Sequence, residues 1–537
     1  MISKLINYTQ NHPFACLLIT LFILFCYQSL NIFWGFEILD SGYHLTAYDN
    51  IFDAPDSVSA NFSDYLTNVL GGVFMNFFPG IGIVGFRIIG ALFVDSAILL
   101  IFLCLRKEIP VIHLLIGGVL VVMSYIQIPY SFNNGICSCF FYVCALLSLY
   151  KGLTNKKMTH VFMSGFFVGI NIFSRIPNVL AVGLVLITLF HSYIENRKLR
   201  CDKKSSFFFL LGVMTGIGLM FFLIISLGHQ QIFVGELVGL FQQGTSPDEG
   251  YFVGNLIWTQ IFFYLNAIVF LSLFCTVLLA YSYIRNQWLK ILFVGLASFV
   301  IFYHVYLNAG YESLWAICSA GCGFYLIRTR VKNLALLSTL AIFMLLVEIM
   351  GSGGGNNHGC LPALLAAPVA SNALINRKNL VFVAVVCLAL LMKVFKQGTF
   401  FDFGPLYQKN CSINVEECSL IKTTAERAEV MNATLPTLKR YVQPGDTLLV
   451  YDSAPMLNYL THSRPAGGVC WPGVCSISKP FESAPKILIT KFVDLADPTP
   501  WTRGIPTGNM IIDTYIIEHH YKTVWENPYF ILLFPQK

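Results

Sequence analysis

The chain has 537 residues, 56% of them hydrophobic and only 12% charged, whereas a soluble domain carries about 25% charged residues. A water-soluble globule of this size is excluded for want of polar surface. The net charge of +6 is modest, and no run of Lys or Arg alternates with aromatics, which argues against a nucleic-acid partner.

The apolar run from Phe14 to Phe33 is about 20 residues long, enough to span a bilayer. No small-residue cleavage site follows it, so it reads as a retained first helix. Further spans are expected at 79–104, 109–128, 132–150, 159–174, 177–194, 206–228, 256–283, 289–308, 312–327, 333–350, 360–375 and 379–396, about thirteen in all. With a cytoplasmic N-terminus, the inner loops are Arg106–Lys107, Lys151–Lys157, Arg197–Lys204, Arg285–Lys290, Arg328–Lys332 and Arg377–Lys378. Every short basic loop then falls on one side, as the positive-inside rule requires. The outer loops hold Glu37, Asp40, Asp49, Asp53, Asp56, Asp64, Glu236, Asp248, Glu249 and Glu312, with only Arg87 and Arg175 among them, both at helix ends.

Within residues 1–396 the longest outer loop is 35–78. Tyr43, Leu45, Tyr48, Ile51 and Phe52, then Phe62, Tyr65, Leu66, Val69 and Val73, recur at helical spacing. They predict two amphipathic helices on the membrane surface. A later outer loop, Gly351 to Gly359, reads GSGGGNNHG and is too glycine-rich for a helix. After Lys396 the composition turns polar, and residues 397–537 predict a small extracytoplasmic α/β domain. Its strands are expected at Thr447–Tyr451, Ile487–Thr490, Met510–Ile516, Thr523–Trp525 and Phe530–Phe534, with a helix over Thr424–Tyr441. Of sixteen cysteines, Cys411, Cys418, Cys470 and Cys475 lie in this region. In an oxidising compartment at least one disulfide is expected, with Cys411–Cys418 and Cys470–Cys475 the simplest pairs.

Five groups are candidates for chemistry. Asp40, with Glu37, Tyr43, His44 and Asp49 around it, places a carboxylate at the membrane–water boundary, where it can act as a base or bind metal. The competing reading is an acidic loop that only obeys topology. Arg175, in Ser174-Arg-Ile-Pro177, offers a planar fork for a phosphate, or is an interfacial anchor. Arg87 is similar and weaker. The glycine-rich loop with His358 lacks the Gly-Lys-Ser/Thr ending of a nucleotide loop, but its amides can bind an anion. Asp95, within the second span, is either functional or a hydrogen-bond partner of a neighbouring helix. Tyr459-Leu-Thr-His462-Ser-Arg464, in the outer domain, is either a sugar-stacking surface or a strand–turn core. No metal-ligand spacing, serine triad or Walker motif is present.

Asp40-Ser-Gly-Tyr43-His44 resembles the acidic opening of the first outer loop in GT-C integral membrane glycosyltransferases, the protein-mannosyltransferase and aminoarabinose-transferase branch in particular. Gly85-Phe-Arg87-Ile-Ile-Gly-Ala is similar to the entry of their second helix. Gly165-Phe-Phe-Val-Gly-Ile-Asn171 through Arg175-Ile-Pro177 resembles their glycine-rich helix ending in arginine. The likeness is strongest over the first 230 residues or so. Ser41 stands where those proteins often carry a second acidic residue.

The resemblance implies a GT-C-like polytopic fold in the plasma (inner) membrane. It also implies inverting transfer of a hexosyl or pentosyl group from a polyprenyl-phosphate donor to a glycan, lipid or protein acceptor on the outer face. Asp40 would be the general base, and Tyr43, His44, Asp49, Arg87, Arg175 and His358 would bind substrate. No cofactor is implied with certainty; a divalent metal, Mg or Mn, stays open. The alternatives are a transporter or flippase of a lipid-linked glycan, and an O-antigen-type polymerase or ligase.

Overall fold

The computed structural model describes residues 8–125, 131–196, 201–245, 284–307, 310–327, 332–347, 361–375, 380–399, 402–451, 454–472, 481, 484–491, 507 and 509–536, with a few helical positions between 258 and 283. The expected span 256–283, the loop Gly351–Gly359 with His358, and Cys475 lie outside the described residues or almost wholly so.

The chain is mostly helical. The helices of its first part are α1 Pro13–Ile32, α2 Asp40–Asn50, α3 Tyr65–Phe77, α4 Gly82–Leu105, α5 Val111–Tyr125, α6 Asn134–Asn155, α7 Met158–Asn171, α8 Leu184–Asn196, α9 Lys203–Ser226 and α10 Gln230–Thr245. Then follow α11 Gln287–Leu307, α12 Gly310–Ile327, α13 Lys332–Val347, α14 Ala363–Leu374 and α15 Leu380–Gln397. Among the described residues, seven helical segments are long and apolar enough to cross a membrane, one of them Ile176–Ile194, where a 3-10 stretch runs into α8; Val111–Tyr125, Gln230–Phe241, Leu314–Ile327, Lys332–Val347 and Ala363–Leu374 are apolar but shorter.

Local chemistry sets several of the ends. Asp202 caps α9 by accepting from the Ser205 amide at 3.0 Å, and Asn133 caps α6 through the Ile136 amide at 3.0 Å. Packing of α7 on α9 depends on small residues: a Cβ on Gly165 would lie 1.9 Å from the Phe209 carbonyl oxygen, and one on Gly212 would lie 2.1 Å from that of Phe162. Such close backbone approach is the usual way for membrane helices to associate. Asp95 takes the inter-helix role: Gln28 on α1 donates to its Oδ1 at 3.1 Å.

The polar region contains α16 Ala425–Tyr441, α17 Met456–Thr461 and α18 Met510–Glu518. It has two short hairpins, β1 Gly398–Thr399 with β2 Asp402–Phe403, and β3 Cys411–Ser412 with β4 Lys422–Thr423. A five-stranded sheet is ordered β6-β5-β7-β9-β8, from β5 Thr447–Tyr451, β6 Arg464–Pro465, β7 Lys486–Thr490, β8 Lys522–Glu526 and β9 Phe530–Phe534. Strands β6, β5 and β7 are parallel, whereas β9 runs antiparallel to β7 and β8.

Three expectations are corrected. Met510–Ile516 is helical, because Asn509 caps the Ile511 and Ile512 amides and because Ile512 and Ile516, four apart, share the buried face. Cys411 and Cys418 are free thiols; Cys418 is buried against the core while Cys411 contacts Asn410. The loop helix α2 does not lie on the membrane by one apolar face: its buried residues surround it, from Ser41 and Gly42 to Leu45 and Tyr48, since α17 of the polar region packs on it.

Candidate active site

The segment between α1 and α2 turns on Glu37. This side chain is 1% exposed, and its carboxylate accepts from the amides of both Leu39 and Ser41. It thereby satisfies amides that the start of a helix leaves open, and α2 begins at Asp40. Burial pushes the Asp40 carboxyl up to about 7, and the charge of Glu37 pushes the same way. A carboxyl held near neutrality is suited to take a proton at physiological pH.

Along α2, Asp40, His44 and Tyr48 are spaced i, i+4, i+8 and so share a face. The His44 and Tyr48 rings stack 6.1 Å apart. Burial holds His44 down to about 4, so it is neutral at pH 7, and its Nδ1 has no hydrogen-bond partner among the described residues. The Tyr48 hydroxyl donates to the Phe132 carbonyl at 2.8 Å and feels the charge of Asp64. Asp64 accepts from Asn134 Nδ2 at 2.9 Å. Burial raises its carboxyl to about 7 against the opposing pull of the Arg175 charge.

Arg175 is only 5% exposed. It follows α7 in extended conformation, and Pro177 opens the next turn. A knot of amides fixes this bend: Asn178 Nδ2 donates to Ser138 Oγ and to the Asn171 carbonyl, both at 2.9 Å. Helix α3 is joined to it through the Leu66 amide and the Phe173 carbonyl, 2.7 Å.

Asp40, Tyr43 and His44 thus share one helix, whose far end approaches Asp64 and, through it, Arg175. Two other predicted site residues are engaged elsewhere. Arg87 is buried, and its Nη1 donates to the carbonyls of Asn31 at 2.9 Å and Ile32 at 3.3 Å, closing the end of α1. Asp49 meets His462 of the polar region at 3.2 Å, while the other ring nitrogen meets Glu417 at 3.3 Å. Hydrogen bonds to Asp49 and Glu417 raise His462 from 6.5 to about 9. A raised folded-state value means that this tie contributes fully below about 6.5 and is lost as pH rises through about 9. The thermal midpoint of the full chain is therefore expected to fall across that window, and His462→Gln should flatten that part of the profile. Scanning calorimetry of both proteins checks this.

Asp64 as the neighbour of Arg175 is a pairing that the sequence does not announce, since there it is one acid among many in the outer loops. Among the described residues no three His, Cys, Asp or Glu side chains converge to hold a metal ion. Glu37, beside Asp40, is already engaged by two amides.

No family model matches the sequence, and no curated protein matches it significantly. The chain is similar to several solved structures. Over 97% of this chain and 96% of the other, it is similar to ArnT from Cupriavidus metallidurans in the apo state, at 10% identity and a TM-score of 0.49. With ArnT bound to undecaprenyl phosphate the coverage is the same, at 12% identity and a TM-score of 0.42. It is also similar to the archaeal oligosaccharyltransferase AglB from Archaeoglobus fulgidus in complex with an inhibitory peptide and a dolichol-phosphate. There it covers 88% of this chain and 69% of that one, at 13% identity and a TM-score of 0.46.

Proposed function

We propose that this chain is a glycosyltransferase of the plasma (inner) membrane. It crosses the bilayer about thirteen times and carries residues 397–537 outside. It moves a hexosyl or pentosyl group from a polyprenyl-phosphate carrier to a hydroxyl of a glycan, lipid or protein, with inversion. The supporting observation is Asp40: a carboxyl at the first residue of a loop helix beyond the first span, held up to about 7 by burial and Glu37.

In the proposed reaction, Asp40 takes the proton of the acceptor hydroxyl. The acceptor oxygen bonds to the anomeric carbon, the bond from that carbon to the phosphate oxygen breaks, and polyprenyl phosphate leaves. Arg175 faces the departing phosphate and offsets its growing charge. Tyr43 and His44, on the helix that carries Asp40, contact the sugar or acceptor.

The experiment is transfer by the purified full chain in lipid discs. It is given a panel of polyprenyl-phosphate sugars and scored for free polyprenyl phosphate and glycosylated acceptor. A photoreactive polyprenyl phosphate should label residues beside Asp40. Labelling without turnover across the panel would favour the flippase reading.

Arg175→Ala is expected to lower turnover by roughly 10²-fold, the usual cost of one lost donor to a developing charge. Arg175→Lys should cost less, since it keeps the charge and loses the planar fork. Unchanged donor affinity and turnover in Arg175→Ala would make this residue an anchor only. Reporter fusions at Lys157 and Lys537 are expected to report opposite sides of the membrane; the same side for both would overturn the count of spans.

A further inference from the structure

We propose that Asp402 and Arg427 are positioning residues for Asp40, so that the polar C-terminal region sets the depth and direction of the candidate base. The proposal deepens the reading of Asp40 given above and rests on it.

Between α1 and α2 the chain has no helix or named strand to hold it. Its main chain is tied to residues far along the sequence. The Gly35 amide donates to the Lys422 carbonyl, and the Lys422 amide donates to the Phe33 carbonyl, each at 2.8 Å. The Phe36 amide donates to the Asp402 carboxylate, and Arg427 Nη1 donates to the Phe36 carbonyl at 2.7 Å. Both backbone groups of Phe36 are thus held by ionised side chains, and charge-assisted bonds of this kind are roughly twice as strong as neutral ones. Two residues on, the Ile38 carbonyl accepts from the Met456 amide at 3.1 Å.

The clamp is itself fixed. Asp402 lies 3.4 Å from Lys409 Nζ and 3.5 Å from Arg427 Nε, and Thr423 Oγ1 donates to it at 3.2 Å. The side chains of Asp402 and Lys409 are fully buried, and that of Arg427 is 1% exposed. Such a buried ion cluster is a poor source of net stability, since apolar replacements are often neutral, but its geometry is demanding. Here that geometry is spent on one residue, four positions before Asp40. Glu37 comes next, and its carboxylate starts α2. Any movement of Phe36 is passed to Glu37 and then to Asp40.

The test uses the full chain in lipid discs and two readouts. The first is carbodiimide modification of the Asp40 carboxyl as a function of pH, read by peptide mapping, together with hydrogen exchange of the Phe36 to Ser41 amides. Neither needs a substrate. The second is kcat and KM for the donor. Arg427→Lys keeps the charge but cannot bridge Asp402 and the Phe36 carbonyl with one planar fork. It is expected to shift the Asp40 modification profile, to speed exchange of the Phe36 amide, and to lower kcat by about tenfold to a hundredfold, as misplacement of a reacting group does. Donor KM should stay within about twofold, because the carrier phosphate site at Arg175 is untouched.

Thr423→Val, which removes only one hydroxyl from the clamp, should give a smaller shift in the same direction and covers the case that Arg427→Lys does not fold. An Asp40 profile and amide exchange that match the parent in the folded variants overturn the proposal. A shifted profile with an active Asp40→Asn protein keeps the clamp and removes the base.

Discussion

Replacing Asp40 by asparagine is expected to lower sugar transfer by about 10²–10⁴-fold, the usual contribution of a general base. Insertion and lipid binding should stay at parent levels. Asparagine keeps the shape and cannot accept the proton. In the parent protein the rate should rise with pH through about 7, because only the ionised carboxylate accepts a proton and burial with the Glu37 charge holds it at that value. This acid limb should vanish with the substitution.

Stability should move the other way. The Asp40 value is raised in the folded state, so the stability it contributes when protonated is lost as pH rises from the ordinary 3.8 through about 7 and stays lost above it. At pH 8 the Asn variant should therefore melt no lower than the parent while having lost its activity, a separation that misfolding would not produce. Asp49→Asn should cost less, since that carboxylate contacts His462 and not the proposed reacting atoms. Glu37→Gln is a poor control: its amide nitrogen would face one of two buried backbone amides, at a cost of about 1–3 kcal/mol. Parent-like turnover by Asp40→Asn would mean that the proposed site is wrong and that the transporter reading gains.

The membrane helices were legible because a long apolar run permits few alternatives. Among the described residues, helices occupy the expected segments from 14–34 to 379–396, with 256–283 lying almost wholly outside them. Asp40 stands out in the sequence for a related reason: a residue just past an expected first span has its depth set by the bilayer, and its role as base is the proposal tested above. Local periodicity misled where a cap decided the outcome. The run Met510-Ile-Ile-Asp-Thr-Tyr-Ile516 is rich in β-branched residues and reads as a strand, yet Asn509 starts a helix there and Ile512 and Ile516 bury one side of it. What the sequence withheld altogether were pairings across a hundred residues or more. Nothing near Asp49 announces His462, nothing near Phe36 announces Asp402 and Arg427, and nothing near Asp64 announces Arg175. The motif Asp40-Ser-Gly42 drew attention for its acid, whereas the glycine in it answers to a helix more than four hundred positions away.

That glycine supplies the second large effect. A Cβ on Gly42 would stand 2.2 Å from the Met456 amide nitrogen, 2.5 Å from its Cα and 2.8 Å from its Cβ. The obstacle is backbone, so no rotamer change relieves it. Nor can α2 retreat readily: Tyr48 ties it to the Phe132 carbonyl at 2.8 Å on the side of the bundle. Relief requires α17 to withdraw, which breaks the bond from the Met456 amide to the Ile38 carbonyl, 3.1 Å, and that from Thr46 Oγ1 to the Pro455 carbonyl, 3.1 Å. Each such bond contributes about 1 kcal/mol, and overpacking adds roughly 1–3 kcal/mol. Gly42→Ala is therefore expected to destabilise the chain by about 3–5 kcal/mol. It should expose residues 397–537 to limited proteolysis and lower transfer, since Ile38 and Asp40 move with the broken contacts. Gly218→Ala, on α9 with nothing within 4 Å of the added carbon, is the control; helix propensity predicts a gain of up to about 1 kcal/mol there. Thermal midpoints and protease half-lives of the two variants decide the matter: if Gly42→Ala behaves like Gly218→Ala, α17 does not hold α2 in place.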